Sequence, residues 1–311
     1  MKKSFKKCVR IILILFFVLS YWFVSNAFSA YQPKEIQIEN VEIDTFDSSM
    51  FVDCSLFYYN QLTDSEKEVY QVFSNSKNAF INNEEIYCLS SEELWNTTTS
   101  FEMIKKSMTA YCYDTPESTI YINHYMIKAI YNIQNNCYDY YVKPHIKYKN
   151  YSNVDTKEIE NNLEEIEQVT KEFVMTLSGT DAEKLTQIHN WLIDGARYDM
   201  TLSLPNTANI YGAIIDKSCI CAGFANAFKY VADMADLKVI YVTGTAFFSG
   251  TTAYHAWNLA NVEGKWKIVD VTWDLSCSNE YEFSKRFLLI FRDEENGTAH
   301  IPETEKFVYP D

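Results

Sequence analysis

Glycine and proline are scarce in this 311-residue chain, 8 and 6 residues respectively. That scarcity excludes long flexible linkers, collagen-like repeats and low-complexity tails. No internal repeat is present. No glycine-rich loop is placed to cradle a phosphate, and no basic stripe is placed to follow a nucleic acid backbone. Positive charge is short as well: 27 Lys and Arg face 42 Asp and Glu, for a formal net charge of −15. Five of those cations lie within residues 1–10, so the remainder of the chain is more acidic still. Such a surface repels nucleic acid and anionic lipid and leaves neutral or basic partners. Plain solubility is the simpler reading of the same charge.

Apolar residues are abundant, at 47%, with 23 Tyr and 20 Phe. The chain can therefore bury a large, aromatic-rich core. Its first thirty residues stand apart. "MKKSFKKCVR" is basic without an acid, Ile11 to Val24 is apolar or aromatic except Ser20, and Ala27 and Ser29 have small-x-small spacing. This pattern predicts an export signal. An uncleaved membrane anchor through residues 11–30 is the alternative, although the run is shorter than the ~20 residues of a spanning helix. Either reading places residues 31–311 outside the membrane, as an extracellular or cell-surface protein. Cys8 precedes the apolar run and is not placed like a lipoprotein cysteine. Export would let disulfides persist among Cys54, Cys88, Cys112, Cys137, Cys219, Cys221 and Cys277. Their odd number leaves at least one thiol free if the rest pair. Sequons at Asn96, Asn150 and Asn296 decide nothing without a host.

Residues 31–50 read as an extended leader. A mixed α and β region runs to about residue 150. Thr63 with Glu66, and Ser90 with Glu93, have capping-box spacing and predict helix starts. "STIYINHYM" alternates like a strand and "YYVKPHIKYKNY" is extended in character. A long helix follows, with Ile159, Leu163, Ile166, Val169, Phe173 and Leu177 in one stripe and Gly179 as its stop. Thr180 and Glu183 open the next helix, whose inner face is Leu185, Ile188 and Leu192. His189 lies beside that face and reads as structural. Ala222 to Ala235 predicts a helix, "LKVIYVTGTAFF" a buried strand, and "AYHAWNLANVEGKWKIVDVTWD" a hairpin turning at Glu263-Gly264.

The chemistry concentrates at "DKSCICAGFANAF". A thiol attacks only as thiolate, and a helix N-terminus or a neighbouring imidazolium lowers its pKa. Cys221 sits where the open N–H groups of Ala222, Gly223 and Phe224 would face its sulfur; Cys219, two residues earlier, lacks them. Gly223 would also let a substrate backbone come close. A tight Glu263-Gly264 turn pairs strand positions whose numbers sum to 527. That register sets His255 opposite Thr272 and Asp270 opposite Trp257. His255 and Asp270 then become diagonal neighbours on one sheet face, within side-chain reach. Nucleophile, base and orienter are thus Cys221, His255 and Asp270. The bland alternative is a core cysteine with a surface His–Asp pair. A zinc site from Cys219, Cys221, His255 and Asp270 lacks a second close ligand pair, so neither cofactor nor metal is expected.

These segments resemble the bacterial transglutaminase-like (transglutaminase-core) family. The carriers are Cys221-Ala222-Gly223-Phe224-Ala225, His255-Ala256-Trp257-Asn258, and Trp266 through Asp270 to Asp274, over about Thr180 to Asp274 and including "IHNWLIDGARYD". The resemblance implies an α+β, papain-like catalytic domain over 151–311, beside a smaller N-terminal α+β region over 31–150. It implies a Cys-His-Asp triad on Cys221, His255 and Asp270. Cys219 is outside the motif and is expected either in a disulfide, for instance with Cys277, or buried. The implied activity is an exported cysteine acyl-enzyme acting on amide bonds of peptides or proteins, as peptidase, amidase or transglutaminase. A non-catalytic module binding a peptide or cell-wall component on the same scaffold is the alternative. The backbone N–H of Cys221 is a natural oxyanion donor, and Tyr211 is a candidate for a second, with a core tyrosine as its plainer reading.

Overall fold

The computed structural model describes residues 54–92, 99–122, 124–145, 155–202, 206–248, 251–277, 286–291 and 299–310. The export segment, the leader, Glu93 and all three sequons lie outside them. Among the described residues, no helix is long and apolar enough to cross a membrane. They fall within one compact unit, 47–311.

The N-terminal part contains helices α1 (Asp64–Ser74), α2 (Lys77–Ile81) and α3 (Thr99–Asp114) and strands β1 (Ile86–Ser91), β2 (His124–Asn132) and β3 (Cys137–His145). Thr63 starts α1 with a full capping box: Glu66 N–H donates to its hydroxyl, and its own N–H donates to the Glu66 carboxylate at 2.8 Å. Ser90, by contrast, lies in β1 rather than at a helix start. "STIYINHYM" also departs from expectation. Pro116–Ile120 is a 3-10 turn with Pro at its first position, and the strand begins only at His124. The three strands form an antiparallel sheet in the order β1-β3-β2.

Next come α4 (Thr156–Val174) and α5 (Asp181–Ile193). The α4 stripe buries Ile159 and Ile166, and Phe173 stacks on Trp191 of α5 with centroids 4.2 Å apart. The helix ends before Leu177, because the N–H groups of Thr176 and Leu177 bond three residues back and tighten the last turn. Gly179, with φ +93°, shapes the turn into α5 instead of stopping α4. Thr180 and Glu183 form the expected capping box, and Leu185, Ile188 and Leu192 are fully buried.

The C-terminal part carries the site. It comprises β4 (Arg197–Tyr198), α6 (Ile210–Ile214), β5 (Ser218–Cys219), α7 (Cys221–Met234), β6 (Val239–Phe248), β7 (Thr251–Val262), β8 (Lys265–Val269), α8 (Val271–Cys277), β9 (Leu288–Ile290) and β10 (Ala299–Pro302). A five-stranded antiparallel sheet runs β10-β6-β7-β8-β9. β7 and β8 turn at Glu263 and Gly264, both with positive φ, and their pairs from Val262–Lys265 to Asn258–Val269 keep the expected register. The pairing stops at Val269. Asp270 accepts the N–H of Trp273 at 3.0 Å and so caps α8, which turns "VTWD" into helix. His255–Thr272 and Trp257–Asp270 are therefore not strand pairs.

One buried core runs from Phe57 through Trp257 to Tyr309. Tyr58 joins its two ends: its ring packs edge-on against Phe307, and its hydroxyl donates to the Tyr241 carbonyl. Beneath it, buried Asp114 accepts the N–H groups of Tyr58 and Tyr59 at 3.0 and 2.9 Å.

Candidate active site

Cys221 is the first residue of α7. Ile220 before it supplies no side-chain cap, and the Phe224 N–H, expected to be open, instead bonds the Ile220 carbonyl at 3.2 Å, which leaves those of Ala222 and Gly223 as the candidates near the sulfur. Burial raises the Cys221 thiol pKa. A hydrogen bond from His255, its positive charge and the N–H of Ala256 outweigh that and hold the thiol below its ordinary range. Half-buried Cys221 thus lies within hydrogen-bond reach of His255.

His255 comes from β7, and its Nε2 lies 2.7 Å from Asp270 Oδ2. The imidazole is flanked by Trp273, centroids 5.3 Å apart and nearly parallel. Burial disfavours its charge, but the Asp270 charge and hydrogen bond, with the nearby sulfur, raise its pKa to about 10. Burial likewise opposes ionised Asp270, yet His255 and His300 hold its carboxyl well below the usual range. Each of these three directions favours the charged form of its group. Cys221, His255 and Asp270 come together by a route other than a flat hairpin. The end of β8 delivers Asp270 at a helix cap, with one oxygen on Trp273 N–H and the other on His255.

Other residues have different duties. Cys219 is a free, buried thiol, not a disulfide partner, and burial pushes its pKa up. It packs under Gly223, where a Cβ would stand 2.9 Å from both its Cβ and its Sγ. Buried Gly223 therefore serves the close approach of β5 to α7 instead of a substrate backbone. Asn258 donates to the Ala225 carbonyl at 3.0 Å and ties α7 to β7. His189, fully buried, meets Asp274 Oδ2 at 3.0 Å and joins α5 to α8 as a structural pair. Tyr211 donates its hydroxyl to Glu165 at 2.8 Å, which removes it as an oxyanion donor.

Two residues at the site were not singled out from sequence. Tyr198 sits in β4, paired in parallel with Cys219, and burial and the neighbouring Cys221 raise its hydroxyl pKa. A two-residue parallel bridge leaves no periodic signature. His300, on β10, places Nε2 3.0 Å from Asp270 Oδ2. Its only sequence signal is rarity, as one of 5 histidines. Among the described residues, His255, Asp270 and His300 also have potential metal-ligand atoms within 4.8 Å of one another. Their contacts are those of imidazoles donating to a shared carboxylate oxygen, and they form a hydrogen-bonded chain.

A cysteine at a helix mouth, facing a histidine on an antiparallel sheet, gives an α+β fold of the papain-like kind. Residues 167–271 match the family model described as transglutaminase-like superfamily. No curated protein matches the sequence. Among solved structures, the chain is similar to a TGase, at 16% identity and TM-score 0.34, covering 53% of this chain and 48% of that one. It is also similar to a candidate cysteine protease from Cytophaga hutchinsonii, at 15% identity and TM-score 0.31, covering 48% and 62%. A third is the periplasmic domain of TgpA from Pseudomonas aeruginosa, crystallised with ethylmercury, at 16% identity and TM-score 0.27, covering 44% and 56%. The chain spans about half the length of these solved chains.

Proposed function

We propose that the protein is an exported cysteine acyl-enzyme acting on amide bonds of peptides or proteins, with Cys221 as nucleophile, His255 as acid and base, and Asp270 as orienter. The single observation that carries this reading is the pairing of His255 Nε2 with Asp270 Oδ2 at 2.7 Å, in an imidazole that also lowers the Cys221 thiol pKa. The Cys221 thiolate attacks the amide carbonyl carbon and forms a tetrahedral oxyanion. Cys221 N–H and the Tyr198 hydroxyl are the donors available to it. As the C–N bond breaks, His255 gives its proton to the leaving amine and a thioester remains on Cys221. Water or a primary amine, deprotonated by His255, then attacks the thioester and restores the thiolate. Water yields hydrolysis and an amine yields transfer.

Export rests on the basic and apolar N-terminal segment, and its cleavage is read from the mass of the mature N-terminus. The enzymatic reading is tested by incubating the purified protein with acyl-donor peptides, with and without added primary amine. Product should form and should vanish in Cys221→Ala. Turnover that survives Cys221→Ala, in a protein cleared of contaminants, contradicts it. Amine incorporation distinguishes transferase from hydrolase.

A further inference from the structure

The proposed triad leaves one buried group unused. His300 lies on β10 and is 2% exposed. It reaches the site because β10 pairs along β6, His300 opposite Ala246. Gly244 permits that approach, since a Cβ there would stand 2.1 Å from the Ile301 carbonyl oxygen. The His300 ring is held against Trp273 and Trp257, with centroids 4.2 and 4.9 Å away. Its Nε2 then meets the same Asp270 oxygen that faces His255.

We propose that His300 is a positioning residue of the active site, donating Nε2–H to Asp270 Oδ2 so that the carboxylate is fixed and its pull on the His255 proton is shared. The proposal rests on the cysteine-enzyme reading above. A carboxylate oxygen has two lone pairs and can accept both imidazoles. With Trp273 N–H on Oδ1, Asp270 receives donors from β7, β10 and α8, and neither oxygen can swing away. Each donor that stabilises the carboxylate leaves less of its charge to stabilise an imidazolium at His255. That sharing matters chemically, because His255 must stay charged beside the thiolate and still release its proton to a leaving amine.

Several other ionisable groups surround this chain. Cys221 approaches from α7, and Asp274 from α8 feels the Asp270 charge while bonded to His189 of α5. Arg286 lies over Phe287, whose ring packs against His300. Glu303 follows on the β10 side and accepts from Tyr254. His300 lies within hydrogen-bond distance of the Asp270 oxygen that His255 uses.

The test is the rate of Cys221 alkylation by iodoacetamide across a pH series, in wild type, His300→Phe and His300→Gln. Phenylalanine keeps ring packing and removes the donor; glutamine keeps an N–H of similar reach. In His300→Phe the transition governed by His255 should move upward by about half a pH unit or more, because Asp270 is no longer shared. His300→Gln should stay close to wild type. A folded His300→Phe protein with an unchanged profile overturns the proposal. A wild-type Cys221 that reacts no faster than an ordinary thiol instead overturns the cysteine-enzyme reading itself. If His300→Phe does not fold, wild-type protein with nitrogen-labelled histidine supplies the second measurement. The His300 Nε2–H resonance should shift when alkylation of Cys221 discharges His255. Indifference to alkylation contradicts the role.

Discussion

Asp270 and Trp273 are joined by a helix-cap hydrogen bond of 3.0 Å, and that bond turns the end of a strand into a helix. The carboxylate oxygen left over faces His255. Asp270→Asn can keep the cap through its carbonyl oxygen while presenting an amide to the imidazole. Activity should fall by about a thousandfold or more, as when an orienting carboxylate is neutralised elsewhere, with little change in melting temperature. Asp270→Ala should lose the same activity and a further ~1 kcal/mol of stability with the cap. Chemical denaturation of the two variants alongside an activity assay separates the roles.

The pair His189–Asp274 resembles His255–Asp270 in composition but is fully buried and structural. Asp274 Oδ1 also takes the N–H of Phe287 at 3.0 Å, so the pair holds α5, α8 and the segment before β9 together. His189→Leu should cost about 3 kcal/mol or more, by leaving a buried carboxylate short of a partner. Cys221 alkylation in the folded fraction should persist. Loss of alkylation with stability intact would assign His189 to the chemistry instead.

Tyr198→Phe removes one hydroxyl beside Cys221. Turnover should fall by about a hundredfold, the cost of one oxyanion donor, while Cys221 alkylation, which forms no oxyanion, changes far less. Equal losses in both assays would place Tyr198 on the thiolate and not on the intermediate.

Much of this architecture was legible in the sequence. Capping boxes at Thr63 and Thr180 and the Glu263-Gly264 turn are local signals, and all three appear where expected. The route of Asp270 was not, because a strand reading extends through "VTWD" until the side chain of Asp270 itself caps a helix. Ser90 failed as a helix start because its spacing to Glu93 competes with a strand pairing to β3. Tyr198 and His300 reach Cys221 and Asp270 through pairings remote in sequence, β4 with β5 and β10 with β6, which carry no local pattern. Gly223 read as a point of close approach for a substrate backbone, but the group that approaches it is the neighbouring Cys219.

Asp114 gives the stability a pH dependence of definite sign. Burial raises its pKa from 3.8 to about 7, against the pull of the Tyr58 N–H and Lys229. Between those values the folded chain binds a proton that the unfolded chain does not, so stability from this group rises as pH falls through that window. His255 acts in the same direction at higher pH: its contribution is complete below the unfolded value of 6.5 and is lost as pH rises toward about 10. Over the window from 3.8 to about 7 the Asp114 contribution should therefore fall as pH rises, while above it the lowered Cys221 pKa opposes the loss at His255. The difference in melting temperature between wild type and Asp114→Asn should shift in favour of wild type as pH is lowered through that window. A difference that does not change with pH there contradicts the Asp114 assignment.

The most direct measurement of the central claim is the second-order rate of Cys221 modification by iodoacetamide as a function of pH, with His255→Ala as the comparison. Wild-type Cys221 should react well below the pH at which a free thiol ionises, near 8.5, and His255→Ala should return it to ordinary thiol behaviour. A wild-type profile that already coincides with a free thiol, unchanged by His255→Ala, would contradict it.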